Sequence, residues 1–255
     1  MVRPEDAAFT TLLWMPKCGV AFLDRHMARL QRHAKRLGLE WKDVSILSIT
    51  EILTEAIQEA EPPREDQIGM VSLTFDGEEF SAKARVRDRT PNQITATAVQ
   101  ATSWSKEVYG TKHADWQPYI DAGILAEERG SGMAFMVDDE IVVDGNVATP
   151  VVLDHDGTLW YTSHTEGAID SVTLEAMTSH LVNQGIPVSS GRVTRSLLSR
   201  AALVAAVGTG VGVVQVIELD GQPLGSDHES RVVALNTALE AALSEGWTAL
   251  GVSYD

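Results

Sequence analysis

Helical and strand-like periodicities follow one another in this chain without regular alternation, and that order limits the fold more than any single residue does. Met27, Leu30, Ala34 and Leu37 recur at helical spacing. They predict a helix over 24–37, with Asp24 as its cap and Gly38 as its stop. A second helix is predicted over 44–60, ended by Pro62 and Pro63. Strand-like runs follow at 68–75, 80–86 and 93–99. The polar stretch D-R-T-P-N (88–92) reads as a linker. Beyond it, helices are predicted over 116–129, 169–183 and 227–244. Short strands are predicted at 133–137, 140–143, 149–153, 158–161, 203–207 and 213–219. The pattern is α+β in two parts: a smaller N-terminal domain over 1–87, the linker at 88–92, and a C-terminal domain over 93–255.

At 255 residues, 44% of them hydrophobic, the chain has enough apolar material for such a core. Its formal net charge of −16 excludes a basic footprint for nucleic acid and argues against adhesion to anionic lipid. No apolar run approaches the roughly 18–20 residues that span a bilayer. M-V-R-P-E-D at the start leads into no apolar segment, so no signal peptide is expected. Cys18 is the only cysteine, which excludes an internal disulfide and a cysteine-rich metal site. The expected location is the cytoplasm, with no metal.

Chemistry enters at G-T-K-H-A-D-W-Q-P-Y (110–119) and D-G-N-V-A-T (144–149). A lysine able to form a Schiff base, followed by a carboxylate before a glycine, is what an enzyme dependent on pyridoxal 5′-phosphate (PLP) needs. Lys112 is the candidate amine and Asp144 the candidate partner of the pyridine nitrogen. Three places offer a phosphate cup. V-G-T-G-V-G (207–212) supplies backbone N–H groups and the Thr209 hydroxyl. E-G-A-I-D (166–170) is a glycine turn entering a helix, where free N–H groups favour an anion. Arg29 adds a charged partner. Taken singly, each has an ordinary explanation: a surface lysine, a turn, a helix charge, a packed histidine at 26.

Taken in order, these segments resemble the class IV, or fold-type IV, PLP-dependent aminotransferases, a family that includes branched-chain and D-amino acid aminotransferases and aminodeoxychorismate lyase. F-T-T-L-L-W (9–14) is similar to the family's F-x-T strand. F-L-D-R-H-M-A-R-L (22–30) resembles its H-x-x-R-L helix, and T-K-H-A-D (111–115) its K-x-x-N segment. V-D-G-N-V-A-T-P-V-V-L (143–153) is similar to its E-G-x-x-S-N strand, E-G-A-I-D-S-V-T-L-E (166–175) to its G-I-T-R helix start, and 207–221 to its T-G-T…D-G segment. The resemblance spans about Phe9 to Leu243. It implies a small N-terminal α/β lobe, a larger β-barrel-like C-terminal lobe and a homodimer. It also implies PLP on Lys112, Asp144 at the ring nitrogen, and Arg29, Thr209 and the Ala168 and Ile169 amides around the phosphate. The implied reaction moves an amino group between an amino acid or amine and a keto acid. The alternatives are a lyase releasing pyruvate and 4-aminobenzoate, to which F-T-T at 9–11 is closer, and a relative without catalysis.

Departures from the family pattern mark where this chain must differ. Asp144 replaces the usual Glu and is one methylene shorter. Ala148 and Thr149 stand where the family has Ser-Asn. Phe9 and Trp116 occupy positions where a tyrosine is common, with Tyr119 and Tyr109 as the alternatives. Asp76, in T-F-D-G (74–77), stands where many relatives place a carboxylate-binding arginine, which leaves Arg85 or Arg87 for that role. Only eight residues precede Phe9, so a more open pocket is expected.

Overall fold

The computed structural model describes residues 2–225 and 229–251. The elements run β1 (Ala8–Met15), β2 (Gly19–Ala21), α1 (Leu23–Arg36), α2 (Ile46–Gln58), β3 (Gln67–Phe75), β4 (Phe80–Asp88) and β5 (Gln93–Gln100). They continue with α3 (Gln117–Glu128), β6 (Met133–Asp138), β7 (Ile141–Gly145), β8 (Thr149–Leu153), β9 (Leu159–Thr162), α4 (Val172–Asn183) and β10 (Val188–Gly191). The last are α5 (Arg195–Ser199), β11 (Leu203–Gly208), β12 (Gly212–Leu219), β13 (Gln222–Pro223), α6 (Glu229–Glu245) and β14 (Trp247–Thr248). The expected helix start at Asp227 lies outside the described residues. No helix among the described residues is long and apolar enough to cross a membrane.

The chain divides into two compact units. The first comprises residues 2–89, 111–116 and 243–251; the second comprises 90–110 and 117–242. The segment carrying Lys112 therefore goes with the first unit, although the strands on either side of it in sequence go with the second. The cause is backbone pairing. The Phe9 N–H donates to the Lys112 carbonyl at 3.1 Å, and Ala8 bridges His113 in antiparallel register. A single break at 88–92 does not anticipate such a return.

The first unit is a sheet in the order β14-β2-β1-β3-β4. α1 packs against β1, and α2 packs against β3 and β4. Alternation sends Ala8, Leu12 and Trp14 of β1 and Val71, Leu73 and Phe75 of β3 into the core. Trp14 pairs with Gly69 across the β1–β3 ladder. The indole fills the space a side chain at 69 would take, because a Cβ there would lie 2.3 Å from the ring. β4 is an edge strand with outward Lys83 and Arg85, charges that discourage further pairing. α1 begins one residue early: Phe22, in a left-handed conformation, occupies the cap position, and Asp24 makes no cap. α2 starts at Ile46, two residues later than expected, because Ser45 caps it, its Oγ accepting the Ser48 N–H.

The second unit is built on one sheet, β10-β9-β8-β11-β12-β5-β6-β7, with β13 paired to β12. β6, β8 and β11 are buried along almost their whole length, as their unbroken apolar runs require. The sheet curls as a half-barrel. Thr162 of β9 donates to the Val142 carbonyl of β7, and the Val142 N–H donates to Val193. These bonds bring strands from opposite ends of the order together around Met133, Phe135, Val152, Val204 and Val214. α3 lies on β5 and β6, and α4 lies on β10 and β11. α4 starts at Val172, later than the sequence pattern suggests, because Ser171 Oγ caps the Leu174 N–H. Ala168 and Ile169 therefore precede the helix.

Gly69→Ala forces the fully buried Trp14 ring to move. The expected loss is about 2 kcal/mol or more of unfolding free energy, with a shifted tryptophan emission, measured by urea titration.

Candidate active site

α1 buries an unusual stripe. Apolar Leu23, Met27, Leu30 and Ala34 are joined on its inner face by His26, Arg29 and His33. Arg29 is only 6% exposed. A buried guanidinium is costly unless polar partners surround it. Arg29 Nη2 donates to Thr10 Oγ1 at 2.7 Å, and the Thr10 hydroxyl then donates to His26 Nδ1 at 2.7 Å. This relay of cation, hydroxyl and imidazole runs from α1 to β1 and back. With His26 neutral, its Nδ1 can accept the Thr10 hydroxyl. Burial, then the charges of Arg29 and Lys112, hold that ring well below the usual histidine range.

Lys112 sits beside this stripe, within the first unit. Its backbone N–H donates to His33 Nδ1 at 3.1 Å, so His33 carries its proton on Nε2. Burial, followed by Arg29, Arg32, Arg36 and Lys112, pushes His33 well below its usual range as well. The side chain of Lys112 is half-buried. Its Nζ lies 4.8 Å from the Phe9 ring centroid and 4.4 Å from that of Trp116. The two rings meet edge to face at 5.0 Å. Phe9 and Trp116 thus flank the ammonium, an arrangement worth about 0.5–2 kcal/mol. His113, 1% exposed, is taken to about 4 by burial, against the opposing charges of Asp115 and Glu5.

The second unit holds the other residues. Asp144, on β7, is 3% exposed. Its Oδ1 accepts the Gly145 N–H at 2.9 Å and its Oδ2 accepts the Ile169 N–H at 3.0 Å. The expectation that the Ala168 and Ile169 amides stand open for an anion is therefore corrected. Ile169 is bonded to Asp144, and the Ala168 N–H is directed at the Ser163 carbonyl at 3.4 Å. The cause is the late start of α4, which leaves both residues in the turn before the helix, within reach of β7. Gly167 shapes that turn: its φ is +102°, and a Cβ there would meet the Tyr109 ring at 2.7 Å. Tyr119, on α3, is buried, and burial and the nearby Asp144 raise its hydroxyl. Trp104, Tyr109, Tyr119, Met136, Val143 and Gly167 line a small recess in this unit. Thr209 is half-buried in the turn between β11 and β12. Ala148 and Thr149 are buried at the start of β8.

The chain matches the family described as Amino-transferase class IV over residues 7–219. It belongs to that family. No curated protein matches it. Among solved structures, it is similar to a hypothetical aminotransferase from Mycobacterium tuberculosis in its apo form, at 15% identity and a TM-score of 0.79, covering 94% of this chain and 90% of the other. It is also similar to a putative 4-amino-4-deoxychorismate lyase from Legionella pneumophila, at 16% identity and a TM-score of 0.76, covering 93% and 91%. A branched-chain amino acid aminotransferase from Escherichia coli aligns at 17% identity and a TM-score of 0.73, covering 94% and 85%. At these identities the structures show the shared two-lobed α+β fold. The family makes this a PLP-dependent enzyme.

Each unit, taken by itself, holds residues whose chemistry suits that cofactor. A buried guanidinium with a hydroxyl beside it suits a phosphate ester, and a half-buried primary amine suits an aldehyde. The Asp144 carboxylate, buried and held by backbone amides, suits a ring N–H. Asp76 has a different task. Its Oδ1 accepts the Glu78 and Glu79 N–H groups at 2.8 and 2.9 Å, closing the β3–β4 hairpin and lowering its own carboxyl. Arg85 and Arg87 lie opposite Met70 and Ile68, on one face of the sheet with Lys83, because they are two residues apart on one strand. Thr10 and His33 were not singled out from sequence. Thr10 is the central residue of F-T-T, and His33 follows Arg29 by one helical turn; that spacing is the signal that could have found it.

His26, His33 and His113 all bind protons more weakly when folded than when unfolded. Their stabilising effect is complete above the unfolded value of 6.5 and is lost as pH falls, for His113 down to about 4. Urea midpoints should therefore drop steadily from pH 7 to 4.5. His113→Leu should flatten the lower part of that slope.

Proposed function

We propose that this enzyme is an aminotransferase that passes an amino group from an amino acid or amine to a keto acid, with Lys112 as its reactive amine. The observation that carries the reading is the setting of Lys112: its backbone tied to β1 and α1, and its Nζ flanked by Phe9 and Trp116 beside the buried Arg29 network. PLP, when bound, supplies an electron sink for the bond broken at the substrate α-carbon. Lys112 would hold the cofactor's aldehyde carbon and, as a free amine, would move a proton to and from the substrate α-carbon. Arg29, oriented by Thr10, would bind the phosphate; the Thr209 hydroxyl is a further donor carried over from the family resemblance. Asp144 would hold the ring nitrogen by accepting its N–H. The Ile169 and Gly145 amides hold that carboxylate in place. Ala168 and Ile169 thus support the site through the turn they form. A keto-acid acceptor fits the Mycobacterium tuberculosis relative, which has an α-ketoglutarate-bound form. A homodimer belongs to the same reading, carried over from the family.

A second reading is a lyase that releases pyruvate and forms 4-aminobenzoate. F-T-T at 9–11 favours it, and a putative 4-amino-4-deoxychorismate lyase from Legionella pneumophila shares the fold. Pyruvate released from aminodeoxychorismate without an amino acceptor selects this reading. Turnover that requires a keto acid selects the first.

Lys112→Ala is expected to abolish turnover and the borohydride-fixed cofactor adduct. Turnover at the parental rate would exclude the mechanism. Asp144→Asn should lower kcat by about 100-fold or more, read in steady-state assays on cofactor-saturated protein.

A further inference from the structure

Resting on the reading of Lys112 as the reactive amine, we propose that His33 is a positioning residue that fixes the backbone from which Lys112 projects. The peptide groups of residue 112 make two bonds in different directions. Its carbonyl accepts the Phe9 N–H of β1, a backbone bond that survives any side-chain change. Its N–H donates to His33 Nδ1, a bond that exists only because of the side chain at 33. The two together hold this peptide between a strand and a helix. A lysine Nζ lies at the end of four side-chain torsions, so a small rotation of the backbone is amplified at the amine.

The ring bears a cost that this role explains. His33 is 1% exposed, and its Nε2 is buried with no hydrogen-bond partner among the described residues. A core position filled for packing alone would take an apolar side chain and avoid an orphaned polar atom. Only the Nδ1 bond to Lys112 uses the polarity of the ring. The charged groups that act on it are Arg29, Arg32 and Arg36 from α1 and Lys112 from the segment packed against it. All are cationic, so they favour the neutral ring, and the neutral ring is the form whose Nδ1 can accept. His33 also follows Arg29 by one helical turn. One helix face thus carries both the phosphate-binding cation and the acceptor that places the amine.

The test is amide hydrogen exchange at Lys112 in cofactor-free full-length protein, alongside kinetics on the loaded enzyme. His33→Leu should speed exchange of the Lys112 N–H about ten-fold or more. It should lower kcat by about 10- to 100-fold with KM changed little, because amine placement and not substrate affinity is disturbed. His33→Asn places an amide oxygen near the former Nδ1, and it should restore slow exchange and most of kcat. Should His33→Leu fail to fold, His33→Asn decides alone: slow exchange supports the proposal and fast exchange overturns it. A folded His33→Leu protein with Lys112 exchange at the parental rate overturns it as well. Exchange is read without cofactor or substrate, so its result stands apart from the Lys112→Ala result that tests the function.

Discussion

The first unit depends on keeping a guanidinium and two imidazoles in the buried stripe of one helix. Such a face is expensive, because each polar atom withdrawn from water needs a replacement partner. α1 meets this with β1 and the 111–116 segment. Thr10 bridges Arg29 to His26, and the Lys112 amide meets His33 Nδ1. The same bonds that make burial tolerable also set the position of the amine. Burial keeps both imidazoles neutral, and neutrality leaves their Nδ1 atoms able to accept. A charged ring at His33 would lose the Lys112 bond, and at either position it would add to the positive field of Arg29 and Lys112. The stripe is thus the structural burden of the first unit and holds the residues to which the proposed chemistry is assigned.

The second unit treats its carboxylate by the same logic with the opposite sign. Asp144 is buried, and its two oxygens are met by two backbone amides, one next to it in sequence and one from the turn before α4. The bond to Ile169 ties β7 to that turn, so the shorter side chain of Asp144 still has a rigid seat. Asp76 shows what separates a site carboxylate from a structural one. It also accepts two backbone amides, but it is exposed, both donors lie two or three residues away, and its bonds close a hairpin. Hydrogen-bond number does not tell these two residues apart; burial and the distance of the donor along the chain do.

Periodicity made most elements legible. α1, β3 to β6 and the apolar runs of β8 and β11 appear in sequence because an amphipathic or fully buried element must repeat its apolar residues with its own period. The motif order carried the family and the identities of Lys112, Arg29 and Asp144 as residues to watch. Element ends were less legible. Phe22 takes its cap position through backbone geometry that composition does not encode, while Ser171 caps through its hydroxyl, and the helix start there leaves Ala168 and Ile169 outside α4.

The chain's own pattern of residues determined the α+β class, the strand and helix order and the candidate chemical groups, since these follow from local spacing and side-chain type. Tertiary structure alone decided that residues 111–116 return to β1, that His33 meets the Lys112 amide and that the Ile169 amide closes on Asp144. Each of these is a contact between segments distant in sequence, fixed by the need to pair buried polar groups. No local period records which distant partner a buried N–H will find.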